Sequence, residues 1–152
     1  MTSEAFTRIE AALRTSWSAE TCDPADVVDW SPQRPDRGQC GVTALVLNDL
    51  LGGHLMIADA IRADGSRQGV HYWNVLADGS EVDLTRGQFS ADEVVQLGAP
   101  VERPPGPPGR CREQYLLLSE RVAHALAPRA VSAASPPGSA VRPARHFPTP
   151  RT

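Results

Sequence analysis

The sequence predicts a small α+β fold in which a cysteine-bearing helix packs on an antiparallel sheet, with further helices at the N- and C-terminal ends. Three observations carry this. Cys40 stands in Gly38-Gln39-Cys40-Gly41, directly ahead of an apolar run with helical spacing. His71-Tyr72-Trp73-Asn74 follows thirty-one residues later in a stretch that alternates as a strand does, and it closes on Asp83-Leu84-Thr85. Turn dipeptides, Asp64-Gly65 and Asp78-Gly79, separate the strand-like stretches at hairpin spacing.

Along the chain, Thr2 or Ser3 can cap a first helix whose Phe6, Ile9, Leu13 and Trp17 recur on one face. Residues 18–39 hold Pro24, Pro32, Pro35 and Gly38 among polar residues, which predicts a long ordered loop with at most one helical turn. From Cys40 to Leu51, Val42, Leu45, Val46 and Leu50 follow helical spacing, and Gly52-Gly53 supplies the stop. Residues 54–61, 70–77 and 81–84 read as three strands. Ser90 with Glu93 has capping-box spacing and predicts a short helix to Gln96. Residues 104–109, Pro-Pro-Gly-Pro-Pro-Gly, form a stiff linker, and residues 112–126 a last helix. One domain over residues 1–126 is expected, followed by a disordered Pro, Ala, Ser and Arg tail over 127–152 with little to bury.

Composition excludes several classes of function. At 152 residues the chain suits one modest core. All eighteen acidic residues lie before Pro128 with eleven arginines, so the body carries −7, while four arginines without acid give the tail +4. No basic stripe interleaves with aromatics in the body, so no nucleic-acid partner is expected there; the tail could touch an anion weakly. Lysine is absent, which removes a Schiff base, a catalytic lysine and a P-loop lysine together. Three cysteines without a CxxC spacing, a first segment unlike a signal peptide and no apolar run of about 20 residues predict a cytoplasmic protein with no membrane partner. Cys22, Cys40, His71 and Cys111 match no zinc spacing, and neither metal nor cofactor is expected.

The order cysteine, histidine, aspartate suits thiol acyl transfer, which needs a thiolate, an imidazole to take and return its proton, and an acceptor that fixes the imidazole's tautomer. Cys40 at a helix start would feel unpaired backbone N–H groups that favour thiolate and can bind an oxyanion. The plain alternative is an inert buried cysteine. His54, at the helix stop, His124, near the end of the last helix, and His146, in the tail, lack such a context. Trp17 reads as core, whereas Trp30 and Trp73 could line a groove, Trp73 on the face it shares with His71.

The hairpin register decides Asp83. With Asp78-Gly79 as a two-residue turn, Asn74 lies opposite Asp83, and His71 and Asp83 point to opposite faces. With Ala77-Asp78-Gly79 as a three-residue loop and Gly79 left-handed, Trp73 pairs with Asp83, and His71 becomes Asp83's diagonal neighbour on the same face, about 7–8 Å away. The second register also gathers Tyr72, Leu76, Val82 and Leu84 on one face, and the pattern favours it.

Trp30-Ser31-Pro32, Gly38-Gln39-Cys40, Val42-Thr43-Ala44-Leu45-Val46, Gly52-Gly53, His71-Tyr72-Trp73-Asn74, Asp83-Leu84-Thr85 and Gln88-Phe89 together resemble the YunG-like family of small, largely uncharacterised bacterial proteins, over residues 12–97. More distantly, the cysteine-headed helix, His-x-x-Asn strand and following aspartate resemble papain-like, NlpC-like and transglutaminase-like proteins. That resemblance implies a papain-like cysteine fold with Cys40 as nucleophile, His71 as general base then acid, and Asp83 as orienting group. The interval from His71 to Asp83 is shorter than in most such hairpins. The oxyanion glutamine of that pattern falls a few residues before the cysteine, whereas Gln33 is seven back and Gln39 adjacent. Gln33, Gln39, Trp73 and Asn74 are the residues expected to meet substrate.

The expected function is cysteine-dependent acyl transfer on an amide or thioester, hydrolytic or to an amine, with a small-molecule, peptide or carrier-bound acyl substrate. The alternative is a binding module that keeps the fold without turnover.

Overall fold

The computed structural model describes residues 3–128. Its helices are α1 (Ser3–Ser16), α2 (Cys40–Leu51) and α3 (Arg112–Leu126), and its strands are β1 (His54–Ile61), β2 (Arg67–Val75), β3 (Glu81–Val82), β4 (Val94–Val95) and β5 (Ala99–Val101). The architecture is α+β. The sheet runs β3-β2-β1-β4, and β5 shares with β4 the edge of β1 that β2 leaves open; every pairing is antiparallel.

Helix α2 positions everything else. Val42, Thr43, Ala44, Val46 and Leu47 are buried along it, and it stops at Gly52, whose left-handed backbone lets its N–H donate to the Asn48 carbonyl at 2.7 Å. Val42, Val46 and Leu47 join Leu13 and Trp17 from the α1 side, Leu84 from beyond β3, and Leu118 and Val122 from α3 in one apolar cluster. Burying a side chain such as Leu47, 1% exposed, contributes roughly 1.5–3 kcal/mol. Two buried polar contacts set the register of this packing. The Trp17 indole N–H donates to Thr43 Oγ1 at 2.9 Å, and the Asn74 amide donates to the Ala44 carbonyl at 3.0 Å, pinning β2 beneath α2.

In the β2–β3 hairpin, Asn74 pairs with Val82 and Val75 with Glu81, while the Leu76 N–H donates to the Ser80 carbonyl at 2.8 Å. The connection is therefore the three-residue loop Ala77-Asp78-Gly79, with Gly79 at φ +83°. Asp78 supports it by accepting from the Ser80 N–H at 3.0 Å.

The chain departs from the expected pattern after Ser90. Half of the capping box forms, with the Ser90 N–H donating to Glu93 Oε2 at 2.7 Å, but no helix follows. Val95 and Val94 instead pair with Ala60 and Ile61, and the Gln96 N–H donates to the Asp59 carbonyl at 2.9 Å. The free edge of β1 offers β-branched valines a ladder, whereas a helix this short is marginal without a packed face. The proline-rich segment 104–109 is tethered from Arg103, which pairs with Asp49 at 2.9 Å and donates to the Gly106 carbonyl at 2.8 Å. Among the described residues no helix is long and apolar enough to cross a membrane. The Thr2 cap, His146 and residues 129–152 of the expected tail lie outside the described residues.

Candidate functional site

Cys40, the first residue of α2, is preceded by a loop that turns at Gly38, φ +67°. A side chain at Gly38 would meet Cys22 Sγ at 2.5 Å and Asp26 Cβ at 2.7 Å, so the sharp turn delivering Cys40 requires glycine on both counts. No side chain caps the start of α2, and the first-turn N–H groups keep their capacity for an anion. The Cys40 thiol donates to the Val70 carbonyl at 3.9 Å and faces a groove of about 540 Å³. Gly41, Leu45, Leu55, Val70 and Tyr72 give the groove an apolar floor, and the ion pairs Asp23–Arg110 at 2.6 Å and Asp26–Arg37 at 2.8 Å stand on its rim. This volume suits a small organic molecule or a short extended chain.

His71 lies behind the cysteine, fully buried. Its Nε2 meets Asp83 Oδ2 at 2.7 Å, and the other Asp83 oxygen accepts from the Thr85 N–H at 3.2 Å. The Trp73 ring stacks on the imidazole at 5.6 Å, and Phe89 packs edge-on at 4.9 Å. Nδ1 meets Gln88 Nε2 at 3.2 Å, and the Cys40 thiol lies close enough to act on the ring's proton affinity. Burial works to lower that affinity, but the Asp83 hydrogen bond, then the Cys40 contact and the charges of both, outweigh it and push His71 up from 6.5 to about 9. The short ionic contact with Asp83 dominates over the longer neutral one with Gln88.

The other two thiols are held in the protonated form. Burial, then the charges of Asp26 and Asp23, push Cys22 up to about 12, and its thiol donates to the Arg37 carbonyl at 3.2 Å. Burial and the Asp23 carboxylate push Cys111 up to about 11.

The chain thus brings together Cys40, His71 and Asp83 and sends the expected substrate-facing residues elsewhere. Gln39 is fully buried; its amide donates to the Ser18 carbonyl at 2.9 Å and accepts from the Thr21 hydroxyl at 2.9 Å, tying the loop to the end of α1. Gln33 is exposed and does not line the groove. Asn74 is spent on α2, Trp73 is a buried wall of the imidazole pocket, and Trp30 donates to the Pro35 carbonyl at 3.1 Å. Gln88 is the site residue to which sequence reasoning assigned no role. Its contacts with Gly38 and His71 span 50 and 17 residues, and no local spacing signals them. Among the described residues no three His, Cys, Asp or Glu side chains gather to hold a metal.

A family model described as YunG protein matches residues 5–127. The uncharacterized protein YunG of Bacillus subtilis (strain 168) is 35% identical over 83 residues, which cover 55% of this chain and 62% of that protein, so the chain spans less than two thirds of the length of this curated relative. No solved structure matches.

Proposed function

The chain belongs to the YunG family, and we propose that it is a cysteine-dependent acyl-transfer enzyme acting on an amide or thioester, with a papain-like arrangement of Cys40, His71 and Asp83. The observation that carries the proposal is the 2.7 Å contact between His71 Nε2 and Asp83, on a ring whose proton affinity is also raised by the Cys40 thiol at an uncapped helix start. In the reaction, His71 Nδ1 holds the proton taken from Cys40, the thiolate sulfur bonds to the substrate carbonyl carbon as the carbonyl π bond opens, and first-turn N–H groups of α2 receive the oxyanion. The tetrahedral intermediate collapses, the carbon–nitrogen or carbon–sulfur bond breaks, and the Nδ1 proton goes to the leaving group. Water or an amine then attacks the thioester carbon, giving its proton to His71; the acyl carbon–sulfur bond breaks, the acid or amide leaves, and the proton returns to the Cys40 sulfur. Asp83 holds the ring throughout, and the apolar floor of the groove receives the acyl chain or peptide.

Incubation with an activated acyl ester followed by mass spectrometry tests this. A single acyl adduct on Cys40, absent in Cys40→Ala, is expected; acylation spread over other residues, or none, contradicts it. Complete burial of His71 favours a second reading, a binding module that presents Cys40 without turnover, because Cys40 lines the groove and the imidazole does not. An adduct that forms and is never released to water or amine would select that reading.

A further inference from the structure

We infer that Gln88 is a positioning residue for His71, selecting the neutral tautomer in which Nδ1 carries no proton; this rests on the reading of Cys40 and His71 as a proton-exchanging pair. A backbone N–H can only donate, so the Gly38 N–H, 3.3 Å from the Gln88 amide, requires its oxygen. The NH₂ of that amide is then the group 3.2 Å from His71 Nδ1, and a donor there requires a lone pair on Nδ1. Across the ring the Asp83 carboxylate at 2.7 Å accepts, which places the proton of the neutral ring on Nε2. Two backbone N–H groups, those of Gly38 and Thr85, thereby orient the amide, the ring and the carboxylate in sequence. Turning the Gln88 amide over would set its NH₂ against the Gly38 N–H. Its backbone is held as well, since the Gln88 carbonyl accepts from Arg34 Nη2 at 2.8 Å.

A side chain that only filled space would not need both ends of its amide engaged on the loop before the nucleophile and on the base. Asp83 from beyond β3 and Cys40 from α2 draw a second proton to the ring, Trp73 stacks on it and Phe89 packs edge-on, neither with charge, and the Arg34 side chain meets Gln88 at its backbone carbonyl. Burial opposes the second proton, and Gln88 is the side chain that opposes it, because an Nδ1–H would face its NH₂. An imidazolium formed in the reaction is therefore biased to pass its proton on to the leaving group.

Nitrogen-15 spectra of the full chain and alkylation of Cys40 against pH test this. The neutral His71 ring should carry its proton on Nε2, with Nδ1 unprotonated. Gln88→Glu keeps an oxygen for the Gly38 N–H and turns the other toward Nδ1; it should hold the imidazolium to higher pH and speed Cys40 alkylation at mildly acidic pH roughly tenfold. Gln88→Met, which removes the donor without adding charge, should shift both readouts in the same direction by a smaller factor. A neutral ring protonated on Nδ1 in the unaltered protein, or profiles of both variants superimposing on it, would overturn the assignment. Should Cys40 prove unreactive in the unaltered protein, the nucleophile reading fails by itself, and the ring spectrum alone decides the role of Gln88.

Discussion

Asp83 reaches His71 Nε2 at 2.7 Å because Asn74 pairs with Val82 and not with Asp83. A hairpin one residue tighter would turn the Asp83 carboxylate to the opposite face of the sheet from His71. The orientation of the His71 ring by Asp83 is thus a property of a three-residue loop.

Asp83→Asn should retain the fold and lose acylation. The Thr85 N–H claims an oxygen at position 83, so the new amide would present NH₂ to His71 Nε2 and push the ring proton to Nδ1, where it cannot accept from Cys40. A drop on the order of 10²–10⁴ in the rate of Cys40 acylation is expected, with an unchanged circular dichroism spectrum.

Gly79→Val places a β-branched side chain at φ +83° and should cost roughly 1–2 kcal/mol together with the acylation rate, as the hairpin shifts register. Gly79→Asn, which accepts the left-handed backbone more readily, should retain most of both. Thermal melts beside acylation rates check the pair; equal loss in the two variants would detach the loop from the site.

His71 links stability to pH. Its folded pKa is raised from 6.5 to about 9, so its contribution is fully present below about pH 6.5 and is lost as pH rises through 9. Melting temperatures should fall over that window in the unaltered protein. In Asp83→Asn, which removes the main cause of the rise, this part of the fall should vanish.

Leu47→Ala should destabilise by about 2–5 kcal/mol, since Leu47 sits at 1% exposure where α2 meets α1 and α3. Urea unfolding measures it. A cost within that range accompanied by unchanged Cys40 chemistry in the folded protein would separate core from site.

The elements that sequence made legible are those whose signals are local. Helix α2 announced itself by apolar spacing closed at Gly52-Gly53, β1 by its place between that stop and Asp64-Gly65, and α3 by the prolines ahead of it. His71 and Asp83 were legible as a pair only through the hairpin, whose apolar pattern favoured the three-residue loop without excluding the tighter turn. Segment 90–96 misled because the Ser90–Glu93 contact forms as the spacing implies, while the backbone is captured by the distant edge of β1. Gln39 and Asn74 looked like substrate contacts because one adjoins Cys40 and the other stands three residues after His71. Their amides are instead consumed by Ser18, Thr21 and Ala44, partners that only the tertiary fold supplies.

The most direct measurement of the central claim is brief iodoacetamide treatment at mildly acidic pH, followed by peptide mapping of Cys22, Cys40 and Cys111. Cys111 is the informative control, being partly exposed like Cys40 but with its thiol pushed up to about 11. The account predicts that Cys40 is labelled first and that His71→Ala removes this advantage. Equal labelling of Cys40 and Cys111, or a Cys40 rate indifferent to His71, would contradict it.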